Sequence, residues 1–435
     1  MGVISCGTTM IDQGQFEGLA VISWDTTVKT ASFTAVAGNG YFVNTTSGAK
    51  TVTLPASPSA GDQVAVKDYA GTAATNNIII ARNGSNISGS AGDVQILTDS
   101  ICVVFLYVDA TQGWSQILTG ENSALGEKYV TATGGTITTS GDYKIHKFTG
   151  PGTFSVSCAG TASGSTQVDY MIVAGGGGAG NSHAGAGGAG GFRETPGSVS
   201  GSYTASPIAG SLSAFSVAAT GYPVVIGGGG NAGVSPASPK SGNPGSISSV
   251  FGNSSAGGGA CNPEQPGTSS GLPGGSGGGG AGIGPRSDSG GGTGNTPSTS
   301  PQQGTNGGNG SPFPLSGPGI GGGGGGGGAT AAGANASPTS NGPGSTGGNG
   351  GAGATTNISG SPLSFAGGGG GGGWNGSNSS GGTGGGGGGK GGSGVGIAGT
   401  ANTGGGGGAT GPGCNPSSAN GAGGSGIVYI RYKYQ

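Results

Sequence analysis

Uninterrupted glycine runs constrain this chain more than any other feature. They occupy 175–178, 227–230, 277–280, 321–328, 367–373, 384–389 and 404–408, and 116 of the 435 residues are Gly. Collagen is excluded, because no Gly-X-Y period exists and only 23 prolines are present. Two readings remain. Gly and Ser tracts ordinarily form flexible coil, and ordering each Gly costs roughly 0.5–1 kcal/mol more than ordering Ala. Only a hydrogen bond for nearly every backbone group, each contributing about 1 kcal/mol net, offsets that. Left-handed threefold extended helices meet this need. They rise ~3.1 Å per residue, make no internal hydrogen bonds, and without side chains can approach neighbours on every side. The runs are similar in length and separated by segments rich in Pro, Asn, Ser and Thr, so order is the expectation.

The rest of the composition excludes whole classes of function. Charged residues make up 6% of the chain, against about 25% in ordinary soluble domains. With net charge −2 there is no basic field for nucleic acid or anionic lipid. The first residues lack the basic start and apolar core of a signal peptide, and no apolar stretch approaches the ~18 residues of a membrane span. Cys6, Cys102, Cys158, Cys261 and Cys414 are far apart and odd in number. Cys261 and Cys414 each begin a Cys-Asn-Pro tripeptide; unpaired thiols are favoured over a bridge between them.

Three regions follow. Residues 1–29 read as an anchor segment with scattered apolar residues. Residues 30–119 read as short strands forming a β-sandwich module, with alternation in 50–54 and 63–67 and turn chemistry at Asn83-Gly84. One copy would have a thin core, which favours burial against symmetry mates. After a linker at 120–127, residues 128–435 form a glycine-rich domain. Its β-like segments at 142–174 and 426–432 bracket the glycine-rich interior. The predicted fold is all-β with a polyglycine-II-type bundle and essentially no α-helix.

No catalytic, cofactor-binding or metal constellation emerges. Residues 384–390 nearly spell a phosphate loop, but Gly391 stands where Ser or Thr would hold Mg²⁺. Residues 185–190 imitate a dinucleotide fingerprint without a following helix. Asp169, Glu194, Glu264 and Asp288 form no local cluster of the kind glycosidases need. Asp62, Asp68, Asp93, Asp99 and Asp109 sit at strand ends, where turn capping is expected. His146 and His183 read as solvated polar residues.

Several segments resemble tail-fibre proteins from phages of cyanobacteria and marine bacteria. They are the opening 1–12, the stretch 41–69, and 76–84 with Tyr107-Val108-Asp109 and Gly113-Trp114. The third region resembles a glycine-rich phage domain, at 146–150, 168–178, 402–408 and 423–432. The resemblance implies a virion protein assembled in the host cytoplasm, a homotrimer joined through its N-terminal segment to a baseplate or other tail protein. It implies a non-enzymatic adhesin whose loops meet a host glycan or outer-membrane protein. A structural fibre subunit without receptor contact is the alternative. Trp374, Asn375, Phe313, Phe365 and Phe251 are the candidate receptor contacts, because aromatic residues dominate contact energetics. For each of these aromatics the competing expectation is packing at the end of the bundle.

Overall fold

The structure is a computed structural model that describes residues 3–5, 8–10, 22–118, 129–160, 164–181, 184–201, 203–234, 241–262, 270–282, 289–311, 321–338, 345–374, 378–411 and 421–435. Among the described residues every regular element is a β-strand, and no sheet closes into a barrel. The chain divides into two units, Met1–Glu127 and Lys128–Gln435. The linker expected at 120–127 lies outside the described residues.

The N-terminal unit opens with a hairpin of β1 (Val3–Ser5) and β2 (Thr8–Met10). Six strands then alternate between two sheets: β3 (Ser23–Lys29), β4 (Phe33–Thr34), β5 (Asn39–Val43), β6 (Lys50–Thr53), β7 (Gln63–Asp68) and β8 (Ile78–Ala81). Because each step crosses to the other layer, neighbours within a layer run parallel. β9 (Val94–Ile96), β10 (Cys102–Asp109) and β11 (Gly113–Leu118) add antiparallel strands. The layers have the orders β11-β10-β7-β5-β3 and β4-β6-β8-β9. Val43, Val64, Val66 and Phe105 from one meet Val52, Ile78 and Ile80 from the other in one core. Ser23–Lys29, which the sequence placed in the anchor, is the first strand of this module, in register with Asn39 onward.

The C-terminal unit begins with β12 (Val130–Thr133), β13 (Thr136–Ser140), β14 (Tyr143–Phe148), β15 (Gly152–Ala159) and β16 (Gln167–Val173). Next come β17 (Phe192–Glu194), β18 (Phe215–Ser216), β19 (Gly221–Val224), β20 (Ser248–Val250) and β21 (Asn253–Ser255). The short pairs β22 (Ser337–Pro338) with β23 (Ser345–Thr346), and β24 (Ala354–Thr356) with β25 (Leu363–Phe365), precede the last strand, β26 (Ile427–Lys433). β26 inserts between β14 and β16 in a six-stranded sheet ordered β13-β14-β26-β16-β17, with β18 pairing the start of β16. One face packs Tyr170, Ile172, Val428, Ile430 and Tyr432 against Phe154 and Val156 of the sheet β12-β15-β19. The other packs Met171, Val173 and Ile427 against Ala189, Ala329 and Ala366, where the glycine runs begin and end.

Between these strands the glycine runs hydrogen-bond to one another with a period of three. Gly323, Gly326 and Ala329 donate to the carbonyls of Gly372, Gly369 and Ala366; Gly324 and Gly327 donate to Gly280 and Gly277; Gly325 and Gly328 donate to Ala334 and Ala331. Each residue therefore turns to a different neighbour, and every third returns to the same one. The run 184–191 is enclosed on all sides. It donates to 324–327, 404–407 and 256–259, and accepts from 174–180, 276–279 and 369–372. A Cβ on Gly187 would stand 1.9 Å from the Gly177 carbonyl oxygen, and one on Gly190 2.0 Å from that of Ala174. Buried N–H and C=O groups cost about 1–3 kcal/mol each when unpaired, so displaced neighbours are as costly as the clash itself. Alanine is accommodated where the methyl meets another glycine, as Ala186 does against Gly369.

We expect Gly187→Ala to destabilise the C-terminal unit by about 3 kcal/mol or more, the upper range for overpacking. Gly228→Ala, where nothing lies within 4 Å of the added carbon, should leave stability within about 1 kcal/mol of the parent or raise it. Thermal unfolding of both variants checks the contrast.

Candidate functional site

The connections of the runs to the strands give the C-terminal unit two unlike ends. Runs leave β16, β19, β21 and β25 and reach Asn181, Val234, Asn262 and Trp374. Runs starting at Ala184, Ser241, Ser345 and Gly421 return to β17, β20, β24 and β26. One end is thus fastened to the β-sheets, and the far end carries the opposite termini of the same runs. Registers carry one level across that end, from Gly233 to Ala179, Ala179 to Gly421 and Gly421 to Gly408.

At the far end, polar side chains complete the backbone bonding that the lattice can no longer supply. Ser289 Oγ donates to the Gly310 carbonyl at 2.9 Å and Ser379 Oγ to Gly371 at 2.5 Å. Thr410 Oγ1 accepts from the Gly396 N–H at 3.0 Å, and Ser241 Oγ donates to Asn262 Oδ1 at 2.7 Å. Trp374 ends its run here. Its backbone exchanges hydrogen bonds with Ser345, 3.0 Å as donor and 3.1 Å as acceptor, and its side chain is half-buried. Lys390 follows beside it, its carbonyl accepting from the Gly373 N–H. Asn375 and Phe313 lie outside the described residues.

The remaining candidates pack elsewhere. Phe365 is 3% exposed and meets Tyr429 at 6.0 Å, against the clamp. Phe251 is 9% exposed at the centre of an aromatic cluster, stacked on Phe215 at 4.3 Å and edge-on to Tyr170 and Tyr222 at 5.1 Å. Its φ of 53° closes the two-residue turn between β20 and β21 with Gly252. That conformation costs about 1–2 kcal/mol, which the aromatic pairs, about 0.5–1.5 kcal/mol each, offset. For both residues the packing reading replaces the receptor-contact one.

The motif imitations also resolve into lattice. Gly386, Gly387 and Lys390 donate to Gly382, Gly406 and Ala409, so these amides are already committed. Those of Gly187, Gly188 and Gly190 are committed likewise. Asp62, Asp68, Asp93, Asp99 and Asp109 each accept at least one backbone N–H near a strand end.

One sequence expectation is overturned, that for His146. Asp169 and Glu194, which form no local cluster in the sequence, lie buried on the paired strands β16 and β17. Both are 0% exposed. Asp169 accepts from Thr195 Oγ1 and Ser200 Oγ at 2.7 Å and from the Ser200 N–H at 2.8 Å. Glu194 accepts from Thr356 Oγ1 at 2.5 Å and the Ser206 N–H at 2.8 Å. Burial raises the Glu194 pKa above its ordinary value, aided by nearby Asp169. Arg431 lies opposite Asp169 in register, its guanidinium over the rings of Tyr143 and Tyr203 at 4.6 and 5.4 Å. With their oxygens committed to strand-linking hydrogen bonds, these carboxylates tie β16, β17 and β24 together. His146, expected in solvent, is 0% exposed. Its Nδ1 donates to the Gly134 carbonyl at 2.7 Å, and Nε2 accepts from the Tyr432 hydroxyl at 3.0 Å. Burial lowers its pKa. His183 lies outside the described residues.

Cys261 is a free, buried thiol that accepts the Gly185 N–H at 3.1 Å; burial pushes its pKa up to about 12. Cys6 and Cys414 lie outside the described residues. Among the described residues no group of His, Cys, Asp and Glu could hold a metal ion, and no helix is long and apolar enough to cross a membrane.

Comparison with protein families matches residues 148–433 to the glycine-rich domain family. The chain belongs to that family. The matched span runs from the end of β14, through the glycine runs, to the last residue of β26. Comparison with curated proteins gives no match.

The two buried groups predict opposite pH effects. Glu194, its folded pKa raised from 4.5, costs stability as pH rises through that value to the folded one. His146, its folded pKa lowered from 6.5, costs stability as pH falls below 6.5. Urea midpoints across pH 4 to 8 should show Glu194→Gln removing part of the loss on the rising limb. His146→Gln should remove part of the loss on acidification.

Proposed function

We propose that the chain is a bacteriophage tail-fibre subunit, a non-enzymatic adhesin that presents the far end of its glycine-rich unit to a bacterial surface. The observation that carries this reading is the asymmetry of that unit. One end of its runs is fastened to the six-stranded and three-stranded β-sheets, while the other carries the opposite termini, among them Asn181, Asn262, Ser241, Val234 and Trp374. Its period-three hydrogen bonding favours polyglycine-II helices, whose rigid packing would hold chain ends in fixed positions. A rigid scaffold carrying connecting segments at one end is the arrangement binding surfaces commonly use. The low charge of the sequence disfavours nucleic acid or membrane lipid as partner. In this reading the chain is a homotrimer located in the virion, its first residues join a baseplate or other tail protein, and a host glycan or outer-membrane protein is the receptor.

A purely structural fibre subunit is the second reading. It is favoured by Trp374 being locked to Ser345 and half-buried, as a residue sealing the lattice end would be.

Binding of the labelled full-length chain to bacterial strains separates the two. The adhesin reading expects saturable binding to a susceptible strain, competed by intact phage. It also expects at least a tenfold loss in Trp374→Ala with an unchanged unfolding midpoint. No saturable binding by folded protein on any strain that the phage infects would leave the structural reading.

A further inference from the structure

Beside its aromatic cluster the C-terminal unit holds a cleft of about 440 Å³, inside the roughly 300–1,000 Å³ range of small-ligand sites. Strand pairing explains why it is open. Val225 and Ser249 exchange both backbone hydrogen bonds, which joins the end of β19 to β20. Continuing that ladder would pair Pro223 with Phe251, but proline has no N–H to give, and the strands part. Two backbone groups are left facing the gap. The Val156 N–H bonds to Thr220, so Thr220, Tyr222 and Val224 face β15 and the Pro223 carbonyl faces the other way. Val250 pairs with Asn253 across the hairpin, so the Phe251 N–H, on the opposite side of the same peptide plane, turns toward β19. That N–H has no acceptor among the described residues.

The lining is aromatic and polar but carries no charge. Phe251 covers one face of the Phe215 ring at 4.3 Å. Tyr222 lies beside this stack, 5.1 Å from Phe251 and 5.4 Å from Phe215. The other face of Phe215 is covered by neither ring, and this half-buried residue lines the cleft. Asn253 Nδ2 is held by the Tyr170 hydroxyl at 2.9 Å. Asn253 Oδ1 and the hydroxyls of Ser249 and Ser254, which pair across β20 and β21, have no partner among the described residues. Neighbouring Arg193 is committed to the Ser254 and Ser211 carbonyls.

We propose that this cleft binds one unit of a neutral saccharide. A sugar ring lays an apolar C–H face on Phe215, and its hydroxyls, each both donor and acceptor, meet the Pro223 carbonyl, the Phe251 N–H, Asn253 Oδ1 and the two serines. A purely apolar ligand would leave those groups unpaired, and an ion would find no counter-charge. Phe251 contributes its backbone N–H, while its ring stays packed. The site lies at the fastened end of the unit. It therefore goes beyond the receptor surface proposed for the far end and stands independently of it.

The experiment is saturation-transfer NMR and titration calorimetry of the full-length chain with methyl glycosides of glucose, galactose, mannose and N-acetylglucosamine. At least one should bind with a Kd in the millimolar range or tighter, its ring protons shifted upfield by the Phe215 ring. Phe215→Leu should weaken that binding about fivefold. Ser249→Ala combined with Ser254→Ala should weaken it about tenfold, the effect of losing two hydrogen bonds. Trp374→Ala, at the far end, should bind the glycoside as the parent does; loss there would overturn the proposal. Circular dichroism shows which variants fold, and an unchanged affinity in either folded cleft variant overturns it. So does binding of toluene or N-acetyl-leucine methylamide without any glycoside, or no glycoside bound at 100 mM.

Discussion

The structure depends on one constraint: a buried backbone without side chains must find all of its hydrogen-bond partners in other backbones. A glycine run offers two polar groups per residue and almost no apolar surface, so the hydrophobic effect contributes little to holding it. The period-three pattern answers this by sending consecutive N–H groups to different neighbours, and for 184–191 three neighbours accept while three others donate. The same geometry makes glycine obligatory. A carbon added at Gly176, Gly279 or Gly406 would stand within about 2.1 Å of a neighbouring carbonyl oxygen. Gly here is a condition of contact, in addition to being a source of conformational freedom.

A lattice of that kind has no natural register, since one glycine is like the next. The β-sheets supply it. β26 lies between β14 and β16, joining residues 254 to 290 positions apart, and its aromatic and β-branched side chains fill both adjoining cores. Hydrophobic packing at the clamp therefore sets where each run starts, and the hydrogen bonds propagate that choice. His146, Asp169, Glu194 and Arg431 reinforce the clamp with charge and hydrogen bonding. Removing one member of such a buried network leaves the others unpaired, at about 1–3 kcal/mol each.

Much of this was legible beforehand. The β-like segments 143–148 and 427–432 stand out because their residues are apolar, β-branched and aromatic amid glycine. The all-β class follows from the absence of any helical stripe. Other features left no local trace. Asp169 and Glu194 are 25 positions apart, and both become buried only because β16 pairs with β17. His146 is buried because Tyr432, 286 positions away, covers it. Phe251 precedes Gly252 and Phe365 lies just before the run 367–373, as exposed tip residues would, and only the fold turns them toward the sheets rather than the far end.

By itself the sequence determined the chemistry available: strands without helices, glycine runs too crowded to accept side chains, and a chain nearly free of charge. Tertiary structure decided which end of the runs is fastened, and which aromatics and carboxylates are buried. The physical reason is that glycine carries no side-chain information about direction or partner. A run reads the same whether it points toward the clamp or away from it, and only the strands to which it is tethered distinguish the two.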